Sequence, residues 1–343
     1  MIDDSLNKKV LIIQTAFPGD VLLAIPIAQR ILETYPTAEI TWVVRKGNES
    51  LLIASKAAHQ IITWDKKKQK YQNLFSIGVQ LTKQQYWLAI NCQRFFTTGI
   101  LMAFLKSQHK LGFKENPWSW CYEKSYSHSK GKKGDQNYLH EVDRNLQLLT
   151  GFTPIHRKSP QLTPGLQAIK KAESLMKQGK AWMLLAPASV WFTKQWPIEH
   201  WTKLASLIPE NYSIGIIGGA SDIPLGELIK SEVPRVTNFC GVADFEESAA
   251  MLQRAELLVC NDSAPLHLAS SVNLPVIAIF CSTIPEFGFF PLSQRSIVMQ
   301  ETSNLPCRPC GVHGKQTCPL GHFACGYSVT PEKVMEAIIT IST

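Results

Sequence analysis

The stretch of sequence that decides the fold is residues 10–44, VLIIQTAFPGDVLLAIPIAQRILETYPTAEITWVV. Its first six residues are almost all apolar, which is typical of a β-strand buried on both faces. Apolar residues then recur at helical spacing from Val21 to Leu32, and a second apolar run follows at 39–44. The order strand, helix, strand predicts a βαβ unit and a parallel sheet.

The same alternation returns in the second half of the chain. Apolar runs predict four further strands there, at 182–186, 213–217, 257–260 and 275–280. Helical periodicity lies between them, at 200–208, 247–255 and 265–272. We therefore expect two doubly wound α/β domains joined near residue 165. Neither a Gly-x-Gly-x-x-Gly fingerprint nor a Walker loop follows any of these strands, which argues against a dehydrogenase and a P-loop enzyme.

The charge of the chain favours an anionic partner. The 343 residues include 35 basic and 27 acidic side chains, which gives a formal net charge of +8. Much of the excess lies in two clusters, Lys66, Lys67, Lys68 and Lys70, then Lys124, Lys130, Lys132 and Lys133. Solvated lysine loops would look the same. No apolar run approaches the roughly 20 residues that span a bilayer. The polar opening at 1–9 predicts no secretory signal, so we expect a cytoplasmic protein.

The first strand is followed by Phe17-Pro18-Gly19-Asp20. Gly19 allows a tight turn, and Asp20 is placed at the N-terminus of the following helix. The helix dipole there favours an ionised carboxylate, which is available as a base. The alternative is an ordinary helix cap, since aspartate is a preferred capping residue.

Two junctions in the second half carry similar polar groups. Ser189 and Lys194 follow the strand at 182–186, and a lysine beside small hydroxyl residues suits a phosphate. The segment Asn261-Asp-Ser-Ala-Pro-Leu-His267 links a strand to a helix with a proline in its first turn. Its helix N-terminus predicts an anion site. The alternatives are that Lys194 is an ordinary surface lysine and that His267 is a histidine of the core.

Five motifs in this order resemble glycosyltransferase family 9, the ADP-heptose:lipopolysaccharide heptosyltransferases. They are Gly19-Asp-Val, His140-Glu-Val-Asp-Arg-Asn, Lys194-Gln-Trp-Pro, Gly241-Val-Ala-Asp-Phe-Glu-Glu and Asn261-Asp-Ser-Ala-Pro-Leu-His-Leu-Ala. The resemblance runs from about residue 10 to residue 334. It implies a GT-B fold, in which two Rossmann-like domains face each other across a cleft.

The resemblance also implies where the ligands bind. Residues 1–165 would bind the acceptor, a phosphorylated lipid A–core glycolipid at the cytoplasmic face of the inner membrane. Residues 166–330 would bind the donor, ADP-heptose, and a C-terminal helix within 331–343 would pack back on the first domain. The family inverts the anomeric centre and requires neither a metal nor a further cofactor.

Roles for individual residues follow from the same resemblance. Asp20 is the general base, and Lys194 neutralises the leaving diphosphate as the second catalytic residue. Arg94 and the lysine clusters face the acceptor. The residues expected to bind the donor are Ser189, Lys194, Asp222, Asp262, Ser263, Ala264 and His267.

The chain departs from the family pattern at three places. The family usually has Ser-Leu-Gly-Asp where this chain has Phe17-Pro-Gly-Asp, a glycine at Ala264 and an aspartate at Asn91. The added methyl group of Ala264 is compatible with pyrophosphate binding. The change beside Asp20 bears on the identity of the acceptor more than on the reaction.

Four of the nine cysteines lie close together near the end of the chain, Cys307, Cys310, Cys318 and Cys325. Four thiolates satisfy tetrahedral zinc, but the second pair is spaced more widely than in a zinc knuckle. The alternative is reduced thiols that pack a loop.

The sequence thus predicts a transferase that moves heptose to the lipopolysaccharide core. Within the family, transfer of another core sugar is the alternative. A non-catalytic nucleotide-sugar sensor and a basic nucleic-acid binder come from other classes. We expect no nucleic-acid partner, because the lysines form loop clusters rather than a stripe with interleaved aromatics.

Overall fold

A computed structural model describes residues 8–342. This part of the chain divides into two compact units. The first unit holds the chain up to Ser129 together with Glu141–Gln161, and the second holds Lys130–His140 and the chain from Leu162 onward. The polar opening, on which the prediction of no secretory signal rests, falls mostly on residues 1–7, outside the described residues.

Six parallel strands form the sheet of the first unit, in the spatial order β3-β2-β1-β4-β5-β6. They are β1 (Lys9–Gln14), β2 (Glu39–Arg45), β3 (Gln60–Trp64), β4 (Gln85–Asn91), β5 (Lys106–Phe113) and β6 (Lys124–Tyr126). The helices of this unit are α1 (Pro18–Thr34), α2 (Glu49–Ser55), α3 (Lys70–Thr82), α4 (Phe96–Phe104) and α5 (Glu141–Leu146).

The central strand of this sheet is the apolar run from which the fold was predicted. Every residue of β1 after Lys9 is buried, because β2 and β4 flank it and helices cover the sheet. Strand β5 was not predicted. Its sequence KSQHKLGF is mostly polar and is buried only over its last three residues, so no apolar run marks it.

The second unit repeats the architecture, with a parallel sheet in the order β12-β11-β10-β7-β8-β9. Its strands are β7 (Ala181–Ala186), β8 (Tyr212–Ile216), β9 (Val236–Asn238), β10 (Ala255–Asn261), β11 (Val276–Phe280) and β12 (Ser296–Gln300). Its helices are α6 (Leu166–Leu175), α7 (Ile198–Leu207), α8 (Ile223–Glu232), α9 (Phe245–Gln253), α10 (Ala264–Ser271), α11 (Ala324–Tyr327) and α12 (Pro331–Ser342). The prediction of two doubly wound α/β folds is confirmed. Within residues 8–342, no helix combines the length and apolar character needed to cross a bilayer.

The segment Lys130–His140, which we call the strap, belongs to the second unit although it precedes the last part of the first. The rings of Tyr138 and His140 pack on Phe290, with centroids 5.9 and 4.6 Å from it. The imidazole of His140 also lies within hydrogen-bond distance, 3.0 Å, of the Phe290 carbonyl. This division differs from the predicted single boundary near 165, because the strap has no apolar periodicity that would reveal its contacts.

Helix α12 packs within the second unit. Its Val334 and Ile338 lie in one core cluster with Trp201 and Leu204 of α7. The apolar side chains of α12 are buried in the core formed by β11, β12 and α7. That the helix also packs back on the first domain stays a prediction.

A buried ionic cluster holds the start of α5. Glu141 lies 2.9 Å from the imidazole of His128 and 2.8 Å from the guanidinium of Arg144, and all three side chains are buried. Burial acts to raise the pKa of Glu141, but the hydrogen bonds and charges of His128 and Arg144 outweigh it and lower the pKa to about 2. Glu141 is therefore a carboxylate at neutral pH.

Candidate functional site

Polar residues follow three neighbouring strands of the second unit, β7, β10 and β11. Ligands of doubly wound folds bind beyond the carboxyl ends of such strands, where loops lead into helix N-termini. Ser189 and Lys194 follow β7, and Asp262 and Ser263 follow β10. The structure thus brings the two predicted junctions of the second half to one edge of one sheet.

Lys194 and Asp262 form an ion pair at this edge. The ammonium of Lys194 lies 2.7 Å from Oδ2 of Asp262, and both side chains are mostly buried. The hydroxyl of Thr283, just after β11, donates to the same carboxylate oxygen at 2.7 Å. Asp262 is thereby held from two sides, and it fixes the position of the Lys194 ammonium.

The side chain of Asn261 connects the loops that carry these groups. Its amide nitrogen donates to the Pro187 carbonyl at 2.7 Å, and its oxygen accepts from the backbone N–H of Trp196 at 3.0 Å. The carbonyl of Ser189 accepts from the side chain of Gln195 at 2.6 Å. The loop that contains Ser189 and Lys194 is therefore fixed at both ends.

Helix α10 begins at this edge with Ser263 as its N-cap and a proline in its first turn. The Ser263 side chain does not cap the helix, and its hydroxyl lies 3.4 Å from the Asn261 carbonyl. Ala264 opens the helix, and His267, one turn further on, is buried, with its ring 6.4 Å from that of Phe289. The helix dipole adds positive potential beside Lys194.

Asp222 lies at the end of the next strand outward, β8, in a short 3₁₀ helix (Ala220–Asp222). Its carboxylate accepts from the backbone N–H of Gly219 at 2.8 Å and from the hydroxyl of Ser221 at 3.2 Å. The structure therefore places it at the same edge of the sheet as the Lys194 loop.

A glycine from the C-terminal region lies against this loop. Gly314 has φ +78°, and a methyl group added there would approach Cγ of Lys194 and the hydroxyl of Thr193 to 3.0 Å each. The backbone of Lys315 exchanges hydrogen bonds with Thr193, from N–H to the hydroxyl at 2.8 Å and from the Thr193 N–H to the carbonyl at 3.0 Å. This region therefore packs against the Lys194 loop and holds it in place.

In the first unit, Asp20 is the third residue of α1. Its carboxylate accepts from the backbone N–H of Phe17, the N-cap residue, at 3.2 Å. The predicted helix-terminal position is therefore observed, with Phe17 and not Asp20 as the cap. A carboxylate can accept several hydrogen bonds, so this contact does not use the full capacity of Asp20. Asp20 makes further interactions in the structure besides this one.

A second charged group lies at the same edge of the first sheet. Lys66 donates to the carbonyl and the hydroxyl of Thr15, at 2.6 and 3.1 Å, just after β1. Burial, and then the positive charges of Arg45 and Lys70, lower the pKa of Lys66 to about 8. Three cations are thus concentrated near the end of β1, where an anion would relieve their repulsion.

Two further residues of the sequence prediction lie after β4. Arg94 is half-buried in the loop between β4 and α4. Asn91, where the family commonly has aspartate, is fully buried and donates to the hydroxyl of Tyr122 at 2.9 Å. The amide of Asn91 thus has a hydrogen-bond partner within the first unit.

The four C-terminal cysteines lie close enough together for their charges to act on one another. Cys325 is buried in the core of the second unit, and Cys318 packs against that core. Burial raises the pKa of Cys325 to about 11, so its thiol stays protonated at neutral pH. Among residues 8–342, no three His, Cys, Asp or Glu side chains are arranged to hold a metal ion.

Sequence reasoning missed Thr283, Asn261 as a connector, and Lys66 as a member of the site rather than of a loop cluster. A signal for Thr283 was present: it lies in the loop after the apolar run of β11, three residues beyond the end of the strand, much as Asp262 lies after β10. The contacts of Lys66 and Asn261 depend on how strands are ordered in the sheets, which no local pattern gives.

Comparisons with known proteins identify the family and the fold. Residues 74–320 match the model of glycosyltransferase family 9 (heptosyltransferase). The lipopolysaccharide core heptosyltransferase OpsX of Haemophilus influenzae is 25% identical over 280 residues, 80% of this chain and 79% of that protein. The solved structure of Escherichia coli ADP-heptose LPS heptosyltransferase II superposes with a TM-score of 0.80, at 19% identity over 97% of this chain and 98% of that one. That of E. coli heptosyltransferase WaaC with ADP gives 0.73, at 19% identity over 97% and 99%.

Proposed function

The chain belongs to glycosyltransferase family 9, the heptosyltransferases, and from this premise we propose that it transfers a heptose from ADP-heptose to the inner core of lipopolysaccharide. The observation that carries the proposal is the Lys194–Asp262 pair beside the N-terminus of α10. An ammonium held by a buried carboxylate, next to a helix dipole, is suited to a diphosphate that gains charge as it leaves.

In this mechanism the donor lies at the edge of the second sheet. Lys194 compensates the charge that develops on the diphosphate when the bond between the anomeric carbon and the leaving oxygen breaks. Asp262 and Thr283 keep the ammonium in place, so little reorganisation is needed during the reaction. Ser189, Ser263 and Ala264 line the same edge, and their hydroxyls and amides would bind phosphate oxygens. His267 and Asp222 would border the sugar and the nucleoside.

The acceptor hydroxyl attacks the anomeric carbon from the face opposite the leaving group, which inverts the configuration. Its oxygen forms the new glycosidic bond, the pair of electrons of the old bond leaves with ADP, and the hydroxyl proton goes to Asp20. The N-terminus of α1 keeps the carboxylate ionised and thus ready to accept the proton. No metal has a step in this mechanism.

The charge of the first unit fits a phosphorylated acceptor. The positive charges of Arg45 and Lys70 act on Lys66, which binds Thr15 just after β1. Asp20 lies in the first turn of α1, the helix that follows β1. Arg94 follows β4, the strand that pairs with β1 on its other side. We propose that these cations bind acceptor phosphates while Asp20 meets the acceptor hydroxyl. A glycolipid acceptor places the reaction at the cytoplasmic face of the inner membrane.

The test is acceptor-dependent release of ADP from ADP-heptose, with a heptose-deficient core glycolipid as acceptor. We compare the native chain with Asp20→Asn, which retains an oxygen that can accept from the Phe17 N–H but is not a base. The matched control is Asp244→Asn, because Asp244 is the N-cap of α9 and accepts from the Glu247 N–H at 2.9 Å. We expect Asp20→Asn to lower turnover by about 10²–10⁴-fold and Asp244→Asn to leave it unchanged.

Three other results would overturn parts of the proposal. Binding of ADP-heptose without release of ADP, with every core acceptor tried, would indicate a nucleotide-sugar sensor. Turnover with another nucleotide sugar, but not with ADP-heptose, would indicate transfer of another core sugar. Full turnover by Asp20→Asn would remove Asp20 as the base.

A further inference from the structure

Helices α3 and α4 of the first unit present apolar side chains to solvent. Their inner faces share one core cluster, in which Leu74 of α3 and Leu101 of α4 are buried. Helix α4 contains no charged residue, and the only one in α3 is Lys70. A surface helix normally carries charged residues on its outer face. These two outer faces are therefore unusual for surfaces that only meet water.

Aromatic residues dominate the outer faces. Tyr71, Phe75 and Val79 recur every four residues along α3, and Phe75 is 75% exposed. On α4, Phe104 is 68% exposed, and its ring lies 6.5 Å from that of Trp118, which is 5.6 Å from Trp120. Trp120 is 75% exposed. Exposed apolar clusters of this kind mark sites of interaction with a partner.

Trp118 is fixed in this cluster by its backbone surroundings. Gly99 of α4 lies directly under it, since a methyl group at Gly99 would come within 2.8 Å of Trp118. The backbone N–H of Trp118 donates to the side chain of Asn116, which is buried and itself donates to the carbonyls of Gln93 and Phe95. The cluster is thus a rigid part of the fold and not a loop that could fold away.

Between Asp65 and Glu123, the segment of sequence that carries the aromatic cluster is almost all positive in charge. From residue 66 to residue 122 the basic side chains are Lys66, Lys67, Lys68, Lys70, Lys83, Arg94, Lys106, Lys110 and Lys114. The single acidic residue there, Glu115, accepts from the backbone N–H of His128 and from the hydroxyl of Ser127, so its charge is engaged within the fold. Lys83, Lys106 and Lys114 are exposed and flank the two helices in the sequence.

We propose that this surface, the outer faces of α3 and α4 with Trp118 and Trp120, docks on an anionic lipid bilayer. Tryptophan, tyrosine and phenylalanine insert at the level of the lipid headgroups, and lysines are attracted by anionic lipids. The surface offers both signals together, which stable and reversible membrane association requires. The inference deepens the proposed function, because a glycolipid acceptor is anchored in a bilayer.

The first experiment measures co-sedimentation of the full-length protein with phosphatidylcholine vesicles that contain or lack phosphatidylglycerol. We compare the native chain with the double variant Phe75→Ser/Trp120→Ser. The matched control is Leu166→Ser, because Leu166 is 76% exposed and lies on α6 of the second unit. We expect binding only to the anionic vesicles, a loss of about tenfold in the double variant, and no loss in the control. Equal thermal midpoints establish that all variants are folded.

The second experiment tests the charge. The triple variant Lys83→Gln/Lys106→Gln/Lys114→Gln should weaken binding to anionic vesicles by about fivefold for each lysine replaced. Its control replaces three exposed lysines of the second unit, Lys203, Lys230 and Lys333, by glutamine and should bind as the native chain does. Binding of the native chain should fall at high ionic strength, since salt screens exposed charges.

The outcomes separate the membrane proposal from the proposed function. Vesicle binding requires no donor and no turnover, and turnover can be measured without vesicles on a deacylated, water-soluble acceptor. Equal vesicle binding by Phe75→Ser/Trp120→Ser and by the native chain would overturn the proposal. A second outcome would also overturn it: the native chain is an oligomer in solution, the double variant is a monomer, and neither binds vesicles. The surface would then join copies of the chain. Loss of turnover with intact vesicle binding would instead count against the proposed function alone.

Discussion

The ammonium of Lys194 lies 2.7 Å from a carboxylate oxygen of Asp262, and the same oxygen accepts from the hydroxyl of Thr283. Three strands of the second sheet contribute one of these residues each, through the loops that follow β7, β10 and β11. The pair is largely shielded from water, so its geometry is held more firmly than that of a surface ion pair. A diphosphate that approaches Lys194 would meet an ammonium already in position.

We predict that Lys194→Met weakens the binding of ADP by about tenfold to a hundredfold and lowers turnover further. Methionine keeps the length of the side chain but removes the charge that the diphosphate needs. Isothermal titration with ADP and the rate of ADP release measure the two effects. The control is Lys171→Met, since Lys171 pairs with Glu247 at 2.7 Å in the same unit but on a partly exposed surface. Equal ADP affinity of Lys194→Met and the native chain would exclude Lys194 from the donor site.

Gly314→Ala should impair the donor site through the Lys194 loop. The added methyl group would come within 3.0 Å of Lys194 Cγ and of the Thr193 hydroxyl, at a residue whose φ is +78°. Gly311→Ala is the matched control, because its φ is +82° but no atom lies within 4 Å of the added carbon. Both variants carry a backbone strain of about 1 kcal/mol, so their difference isolates the steric contact. We expect the KM for ADP-heptose to rise in Gly314→Ala alone, and equal KM values would contradict the role of this contact.

Lys66 should give the binding of a phosphorylated acceptor a pH dependence. Because the pKa of Lys66 in the folded protein is about 8, its charge is lost as the pH rises through 8. The KM for the acceptor should therefore increase between pH 7 and 9, as read from initial rates. Lys66→Met should raise the KM for the acceptor by about tenfold at pH 7. In this variant the increase of KM that comes from deprotonation of Lys66 should be absent. The control Lys46→Met removes an exposed lysine paired with Asp65 and should show the native profile.

The same pKa makes a prediction for stability. Between pH 8 and 10.5 the unfolded chain holds a proton on this lysine that the folded chain has released, so the free energy of unfolding should rise with pH in that window. Lys66→Met should lack this rise.

Glu141→Gln should destabilise the first unit by about 3–5 kcal/mol at neutral pH, since it removes the buried carboxylate that pairs with Arg144 and His128. The folded carboxyl has a pKa of about 2, against 4.5 for the ordinary group. Its contribution is therefore complete above pH 4.5 and is lost as the pH falls toward 2, by roughly 3 kcal/mol in all. Urea unfolding at a series of pH values measures this difference.

The control for Glu141 is Asp143→Asn, because Asp143 pairs with Arg157 at a more exposed site. Asp143→Asn should lower the free energy of unfolding by no more than about 1 kcal/mol. The free energies of unfolding of the native chain and of Glu141→Gln should therefore converge as the pH falls from 6 to 3. A constant difference over this range would contradict the predicted titration of Glu141.

The parts of the fold that the sequence predicts are those buried on both faces. Strands such as β1 and β10 carry uninterrupted apolar runs, and the junctions after them were located to within about two residues. Strand β5 has no such run, because neighbours cover only its last residues. The C-terminal helix was predicted, but its packing partner was not, since an apolar stripe on a helix does not identify the surface that covers it.

The candidate site likewise has features that a local sequence pattern predicts and contacts that depend on the fold. The positions of Asp20, Lys194 and Asp262 at strand-to-helix junctions were predictable, because the junction rule depends only on chain order. The partnership of Lys194 with Asp262 and Thr283, and that of Lys66 with Thr15, depend on the order of strands within each sheet. Local sequence does not encode that order, so these contacts became visible only in three dimensions.

The strap, Lys130–His140, has a consequence for how such a protein can change by recombination. The backbone passes between the units three times, before Lys130, after His140 and before Leu162. A single crossover between two related genes near residue 162 would join a second unit to a strap from the other parent, and Phe290 would meet foreign side chains. Exchange of the second unit together with its own strap therefore requires three crossovers, near residues 130, 140 and 162, or a strap that both parents share.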